Sequence, residues 1–480
     1  MKNRYYVLSP EEEKKRFSEP SGEYSPFGLG APLLDLDDET VRKIYYFRLH
    51  TYCKHIKDTP VGRVVTEFTP EVGWAGKYNT ISCPAGHHFY EGRWFADSSF
   101  LDDYARFWFS EDGDPRRYSF WAADAIYALC LVRGDYTLAE SLIDALIGNY
   151  GEWEKSHGRG NGLFSQIDDR DGMEFSIGGS GYRPTINSYM YGDAVAVSKI
   201  AARLGRREDE RVFKEKAEKL KGLIDSTLWD EKAEFYKTVA EDGTVADVRE
   251  EVGYVPWYFG IPGPEKAVAW KYLFDENHFK APFGPTTAER CHPGFMKKFG
   301  HECLWNGPSW PFATSQTLTA MANLIESGDG GDFVGPESFF DLLSTYARSH
   351  FLTENGVTVP FIDEDLDPFD GHWIAREKLK EHGVFDRGID YNHSSFCDLV
   401  ISGLCGVRPH DDGTLTVMPM FGKDRLGYLC LDGAPCFGRS VSVIWDATGD
   451  RFGKGRGLTV LIDGEAAAHS EEPGRLEIRL

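Results

Sequence analysis

The chain has 480 residues, 41% of them hydrophobic, 14% aromatic and 27% charged, which excludes disorder as its main state and suffices for one large domain or two to three smaller ones. Its 53 Lys and Arg against 76 Asp and Glu leave a formal charge of −23, which argues against nucleic acid and anionic membrane and favours a neutral or cationic small partner. No run of about 18 apolar residues is present and MKNRYYVLSPEEEKK lacks the apolar stretch of a signal peptide, so no membrane partner and a cytoplasmic location are expected.

In chain order, apolar periodicity predicts a helix at about residues 38–55 and another at about 98–109. Three segments then repeat one plan of helix, Gly/Asp turn and helix. Residues 119–150 turn at Gly134-Asp135, residues 187–229 near Leu204-Gly205, and residues 309–351 between Gly328 and Gly335. Between them lie residues 151–184 and 229–308, rich in Gly, Asp and aromatics. They are far longer than the roughly 2 to 8 residues that join helices in a bundle, which suggests a functional role. A ring of such hairpins gathers its long loops over one end, as in an (α/α)6-type barrel, a six-hairpin toroid. After Arg408 the pattern changes to TLTVMPM, GYLCLDGAP, SVSVIWDA, LTVLIDG and RLEIRL, short alternating runs between Gly/Asp turns that read as antiparallel strands. The expected organisation is mainly α: an extension (1–30), a helical barrel (31–408) and a small β-rich domain (409–480) that supports it.

Nine scattered cysteines read as buried thiols, and the Asn392-His393-Ser394 sequon as accidental. There is no GxxxxGK[ST], no HExxH, no CxxC and no GxSxG, and the adjacent His87-His88 do not converge on one helix face. No cofactor and no metal are expected. Twelve Trp, 23 Tyr and 32 Phe serve mostly as core, but GRWFADSSFLDDYARFWF, LWNGPSWPF and PFIDEDLDPFDGHW mix aromatics with carboxylates and glycine. Sugar rings present apolar C–H faces and hydroxyl edges, so that mixture points to carbohydrate as the partner. A single loop carboxylate is ordinarily a solvated residue or a cap. Two acidic clusters in aromatic loops weigh more: Asp168, Asp169, Asp171 and Glu174 in QIDDRDGMEFSIGG, and Asp363, Glu364, Asp365, Asp367 and Asp370 in FIDEDLDPFDGHW. Glycoside hydrolysis needs one protonated and one ionised carboxyl group.

Four motifs, in order, carry a family resemblance over about residues 30–410. WNGPSW (305–310) resembles the WxGPxW segment of glycoside hydrolase family 63, the processing α-glucosidases and the bacterial relatives that hydrolyse mannosylglycerate and glucosylglycerate. FADSSF (95–100) resembles the segment that supplies a substrate-binding Asp in that clan, trehalases included, here Asp97. GMEFS (172–176), followed by PTINSYMY, resembles the GMD segment and the helix-opening PxDLNxxxY of the glycerate-glycoside hydrolases. Glu364 stands seven residues before Gly371, the spacing of the general-base Glu in WEQYSDxTG. The resemblance implies an inverting glycosidase with Glu364 as base and Glu174 as acid. Glu replaces the family's Asp at 174, so Asp171 or Asp169 stays open as the acid. It further implies substrate contacts from Arg93, Trp94 and Asp97, from Trp305, Gly307 and Trp310 as subsite walls, and from Tyr391 and His393. Core packing explains Trp310 equally well, and a structural hydrogen bond explains His393 better than catalysis, because the mechanism needs no imidazole. Many relatives carry an amino-terminal β-domain and only about 30 residues precede the barrel here, so a more open pocket or an oligomer partner is expected. An α-L-rhamnosidase, which shares the architecture, and a non-catalytic sugar-binding protein are the alternatives; a sugar epimerase is disfavoured because few of the 14 His lie in the aromatic loops.

Overall fold

The computed structural model describes residues 4–17 and 24–480. Its α-helices are α1 (Pro10–Phe17), α2 (Glu39–Lys54), α3 (Ala85–Gly92), α4 (Phe100–Trp108), α5 (Ala122–Arg133), α6 (Thr137–Ser156), α7 (Pro184–Arg203), α8 (Arg207–Thr227), α9 (Val255–Tyr258), α10 (Pro311–Ser327), α11 (Pro336–Ser349) and α12 (Ile374–Glu381). A π-helical turn follows at Leu399–Leu404. Both early helices fall where the periodicity placed them; Asp38 starts α2 by accepting a hydrogen bond from the Val41 N–H at 3.0 Å.

All three predicted hairpins form, as α5–α6, α7–α8 and α10–α11, and each pairs an inner helix with an outer one. On α8 the buried residues are Phe213, Ala217, Leu220 and Ile224, one stripe at helical spacing, and most of the other residues are charged. By contrast α7 and α10 are buried on nearly every side, including Thr185, Asn187 and Ser188 on one and Thr314, Ser315 and Gln316 on the other. A helix that is apolar or internally bonded all round needs neighbours on all sides. Accordingly α3 packs on α5, α5 on α7, α7 on α9 and α9 on α10, while α11 returns to α2. No helix of the described residues is long and apolar enough to cross a membrane.

The strands are β1 (Leu33–Leu36), β2 (Ile56–Thr59), β3 (Gly62–Val65), β4 (Trp229–Asp230), β5 (Phe235–Tyr236), β6 (Phe351–Glu354), β7 (Val357–Pro360), β8 (Val407–Pro409), β9 (Thr414–Val417), β10 (Tyr428–Cys436), β11 (Arg439–Asp446), β12 (Gly457–Ile462), β13 (Glu465–Ser470) and β14 (Leu476–Arg479). The carboxy-terminal region is antiparallel, in a five-stranded sheet of order β1-β10-β11-β12-β13 and a three-stranded sheet of order β14-β9-β8. Its first strand comes from between α1 and α2: Leu33 pairs with Asp432 and Leu36 with Leu429. The backbone N–H groups of Tyr6, Val7 and Leu8 also converge on the Asp432 carboxylate at 2.8–3.0 Å. Residues 229–308 are less irregular than their composition suggests, holding the β4–β5 hairpin, two 3₁₀ turns and α9. None of the nine cysteines is in a disulfide, and the sequon's Asn392 is buried with its amide on the Thr66 carbonyl.

Candidate active site

The WNGPSW segment is stitched on both sides by backbone. The Trp305 N–H donates to the Glu174 carbonyl at 3.0 Å, and Ser309 exchanges two hydrogen bonds with Leu366 at 2.9 and 3.0 Å. One short segment therefore ties the loop bearing Glu174 to the loop bearing Glu364. Gly307 makes its turn: φ is +148°, its N–H donates to Thr287 Oγ1 at 3.0 Å, and a Cβ there would lie 2.8 Å from the Phe295 ring. Its part is conformational, and it does not face the cavity.

A cavity of about 60 Å³ opens here, lined by Glu67, Trp74, Ile81, Cys83, Tyr118, Gly172, Glu174, Cys303, Trp305, Trp310, Phe312, Tyr391 and His393. Trp305 and Trp310 stack at 4.6 Å and 17°, with Trp310 anchored by its indole N–H on the Leu304 carbonyl at 2.9 Å. The Trp305 indole N–H is buried without a partner. His393 is 1% exposed; the carbonyls of Tyr391 and Glu364 lie near its ring, yet neither nitrogen makes a hydrogen bond of good geometry. Burial holds it neutral, far below the ordinary histidine range.

Two carboxyl groups line this cavity and a third, Glu364, lies beside it, in unlike surroundings. Glu174 is part-buried and receives the Cys303 thiol on Oε2 at 2.9 Å; burial raises its carboxyl and the thiol only partly opposes this. Glu364 is buried and paired to Arg387, whose Nη2 lies 2.7 Å from Oε1 while Nη1 reaches Glu302 at 2.7 Å. Burial raises this carboxyl as well, but here a guanidinium pulls it towards the ionised form. Glu67, just beyond β3, is the residue that the sequence did not single out. The Tyr391 hydroxyl donates to its Oε1 at 2.8 Å, and burial pushes it to about 8, helped by the charges of Glu364 and Glu174. The only signal for it was an acidic residue alone in the apolar stretch VVTEF.

Other expected site residues lie elsewhere. Asp171 is 3% exposed and saturated: it accepts from Ser119 Oγ at 2.5 Å, from Arg183 Nε at 2.6 Å and from Thr185. So bonded, it locks its loop to the start of α7. Asp169 is exposed beside Arg170, 3.6 Å away. Arg93 caps the far end of α3 from Cys83, about 12 Å along the helix. Its guanidinium and the Trp94 indole both bond Asp398 Oδ1, at 2.7 and 2.6 Å. Asp97 is exposed and accepts from Ser99 at the start of α4. None of these three lines the cavity: Arg93 and Trp94 serve a buried cluster around Asp398, and Asp97 holds the turn that leads into α4. Among the described residues two groups have metal-ligand chemistry, His278 with Glu289 and Cys291, and Asp367 with Asp370 and His372, both outside the cavity lining. Glu289 is already paired to Arg249 at 2.8 Å.

A solved structure named "Sialidase" aligns with the whole chain at 35% identity and a TM-score of 0.88, the chain covering 43% of it. A glycoside hydrolase family 63 mannosylglycerate hydrolase from Thermus thermophilus, in complex with glucose, aligns at 12% identity and a TM-score of 0.54, over 75% of this chain and 99% of that one. An uncharacterized protein of Borreliella burgdorferi is 28% identical over 155 residues, 32% of this chain and 33% of that protein. The chain thus spans less than half the length of two of these relatives. Residues 77–394, which contain Glu174, the WNGPSW segment, Glu364 and His393, match the mannosylglycerate hydrolase MGH1-like glycoside hydrolase domain, and the chain belongs to that family.

Proposed function

We propose that the chain is an inverting, exo-acting glycoside hydrolase whose helical hairpins close into an (α/α)6 barrel, with Glu174 as general acid and Glu364 as general base. The observation that carries this reading is the unequal company of the two groups: a guanidinium beside Glu364, only a thiol beside Glu174. Environments that push two carboxyl groups apart assign their roles. Protonated Glu174 gives its proton to the glycosidic oxygen as the C1–O bond breaks. Water attacks C1 from the opposite face and yields its proton to Glu364, so that sugar and alcohol leave with the anomeric centre inverted. Stacked Trp305 and Trp310 offer a wall to the sugar's C–H face, and the Trp305 N–H and His393 ring are positioned to meet its hydroxyls.

A small cavity suits a terminal sugar. Three carboxyl groups around it disfavour an anionic one, so we read the substrate as a neutral glycoside. The relative named as a sialidase is more than twice as long, and its activity need not reside in the shared part.

Glu174→Gln and Glu364→Gln, assayed separately on neutral aryl glycosides (rhamnosides included), disaccharides and sialyllactose, test this. Each variant is expected to lose about 100-fold or more in kcat, and NMR of the first product should show the inverted anomer. No hydrolysis by the wild type, or unchanged rates in both variants, overturns the assignment.

A further inference from the structure

Glu67 is not needed by a two-carboxylate mechanism, yet it is placed in the same cavity. It is 6% exposed, and its main chain is tied in by the Asn392 N–H on its carbonyl at 3.0 Å. Its side chain has one hydrogen bond among the described residues, from the Tyr391 hydroxyl. Because that phenol donates, it occupies Oε1 as an acceptor and leaves Oε2 as the atom that can carry a proton. The titratable groups facing Glu67 are Cys83 and Tyr118, Tyr104 of α4, Tyr391, Glu174 and Glu364, with His393 held neutral nearby. None of them is a lysine or arginine, and the guanidinium of Arg387 is engaged by Glu364 and Glu302. Glu67 and Glu174 share one largely apolar-walled cavity with Glu364 beside it, and ionising all three with a single cation among them is strongly disfavoured. Glu67, with no cation and the deepest apolar surroundings of the two unpaired groups, is the natural holder of a proton.

We propose that Glu67 is a specificity-determining residue, a carboxylic acid kept neutral so that its Oε2–H donates a hydrogen bond to a hydroxyl of the bound sugar. This rests on the carbohydrate reading of the cavity and adds a third role to the acid and base. A neutral carboxyl is a directional donor to an oxygen at one place on the ring, whereas an ionised one could only accept from that hydroxyl, turning the bond around, and would repel its two carboxyl neighbours. Loss of that proton should therefore weaken sugar binding without touching the bond-breaking groups.

The experiment uses the full chain and four neutral probes, D-glucose, D-mannose, D-galactose and L-rhamnose, titrated by ligand-observed NMR from about pH 6 to pH 9.5. The wild type is expected to bind at least one of them, with affinity falling about ten-fold for each pH unit above the Glu67 transition. Glu67→Gln, which keeps a donor and cannot ionise, should flatten that dependence; Glu67→Ala should bind weakly throughout. Difference infrared spectra supply a measure independent of any sugar: a protonated-carboxyl band at neutral pH that disappears in Glu67→Gln. An unaltered band, an identical pH dependence in Glu67→Gln, or no binding of any probe overturns the proposal. Should Glu174→Gln remain active, the acid assignment fails while these binding and infrared results stand or fall separately.

Discussion

Glu91 and Asp398 are as deeply buried as Glu67 and Glu364, and their oxygens are met by donors in abundance. Glu91 receives three backbone N–H groups, from Phe396, Cys397 and Asp398, at 2.8–3.2 Å. Asp398 receives Arg93 and Trp94. Asp171 with Arg183, Thr185 and Ser119 follows the same plan. Around the cavity the supply is thin: one thiol for Glu174, one phenol for Glu67, no well-formed hydrogen bond for the His393 ring and none for the Trp305 N–H. Buried polar groups cost free energy unless bonded. The saturated clusters hold the fold, and the under-supplied one is what the proposed sugar site would use, its open valences free for a ligand's hydroxyls.

The largest expected effect tests the saturated side. Asp171→Ala leaves the Arg183 charge buried and unpaired, which should cost about 3–5 kcal/mol and lower the thermal unfolding midpoint far more than Glu174→Ala does. Equal falls would erase the distinction. Next, Arg387→Met removes the one cation beside Glu364. Its carboxyl then rises, the base ionises only at higher pH, and the acid limb of the pH–rate profile should move up by about one unit or more. An unmoved limb would mean that Glu364 is not the base. Glu67 bears on stability too. Its carboxyl is raised on folding from the usual 4.5 to about 8. Stability from this group is therefore full below about 4.5 and is lost as pH climbs towards 8, and Glu67→Gln should remove that part of the decline in melting curves. Smallest is Trp305→Phe, which deletes an indole N–H and keeps the ring face; a rise in KM worth about 1 kcal/mol is expected, with kcat little changed.

Helical hairpins and strands β9 to β12 were legible because their periodicities are local and long. Strand β1 was not, since LLDL is four residues whose partner lies far along the chain, and EAAAHS, which becomes β13, shows no alternation. In the site, GMEFS, WNGPSW and DEDLDPFDG carry their own turn and aromatic chemistry, and the structure does draw Glu174, Trp305 and Trp310 together around one cavity with Glu364 at its side. FADSSF places Asp97 outside the cavity lining, where its carboxylate holds Ser99 in the turn before α4, a local task that an Asp near an aromatic can serve equally well. Glu67 escaped because nothing near it in sequence shares its task; its partners Tyr391, Glu174 and Glu364 are more than a hundred residues away.

Pairing of β1 with β10 joins segments roughly four hundred residues apart, and it sets an order of events for a chain emerging from the ribosome. The helical hairpins are neighbours in sequence and can condense as they are made, but β1 must wait, its edge N–H and C=O groups unanswered, until nearly the last tenth of the chain arrives. Contacts of such separation are slow to form and leave an open strand edge meanwhile. Leu33, Leu34 and Leu36 are thus the apolar surface that this protein must keep from other chains while it waits.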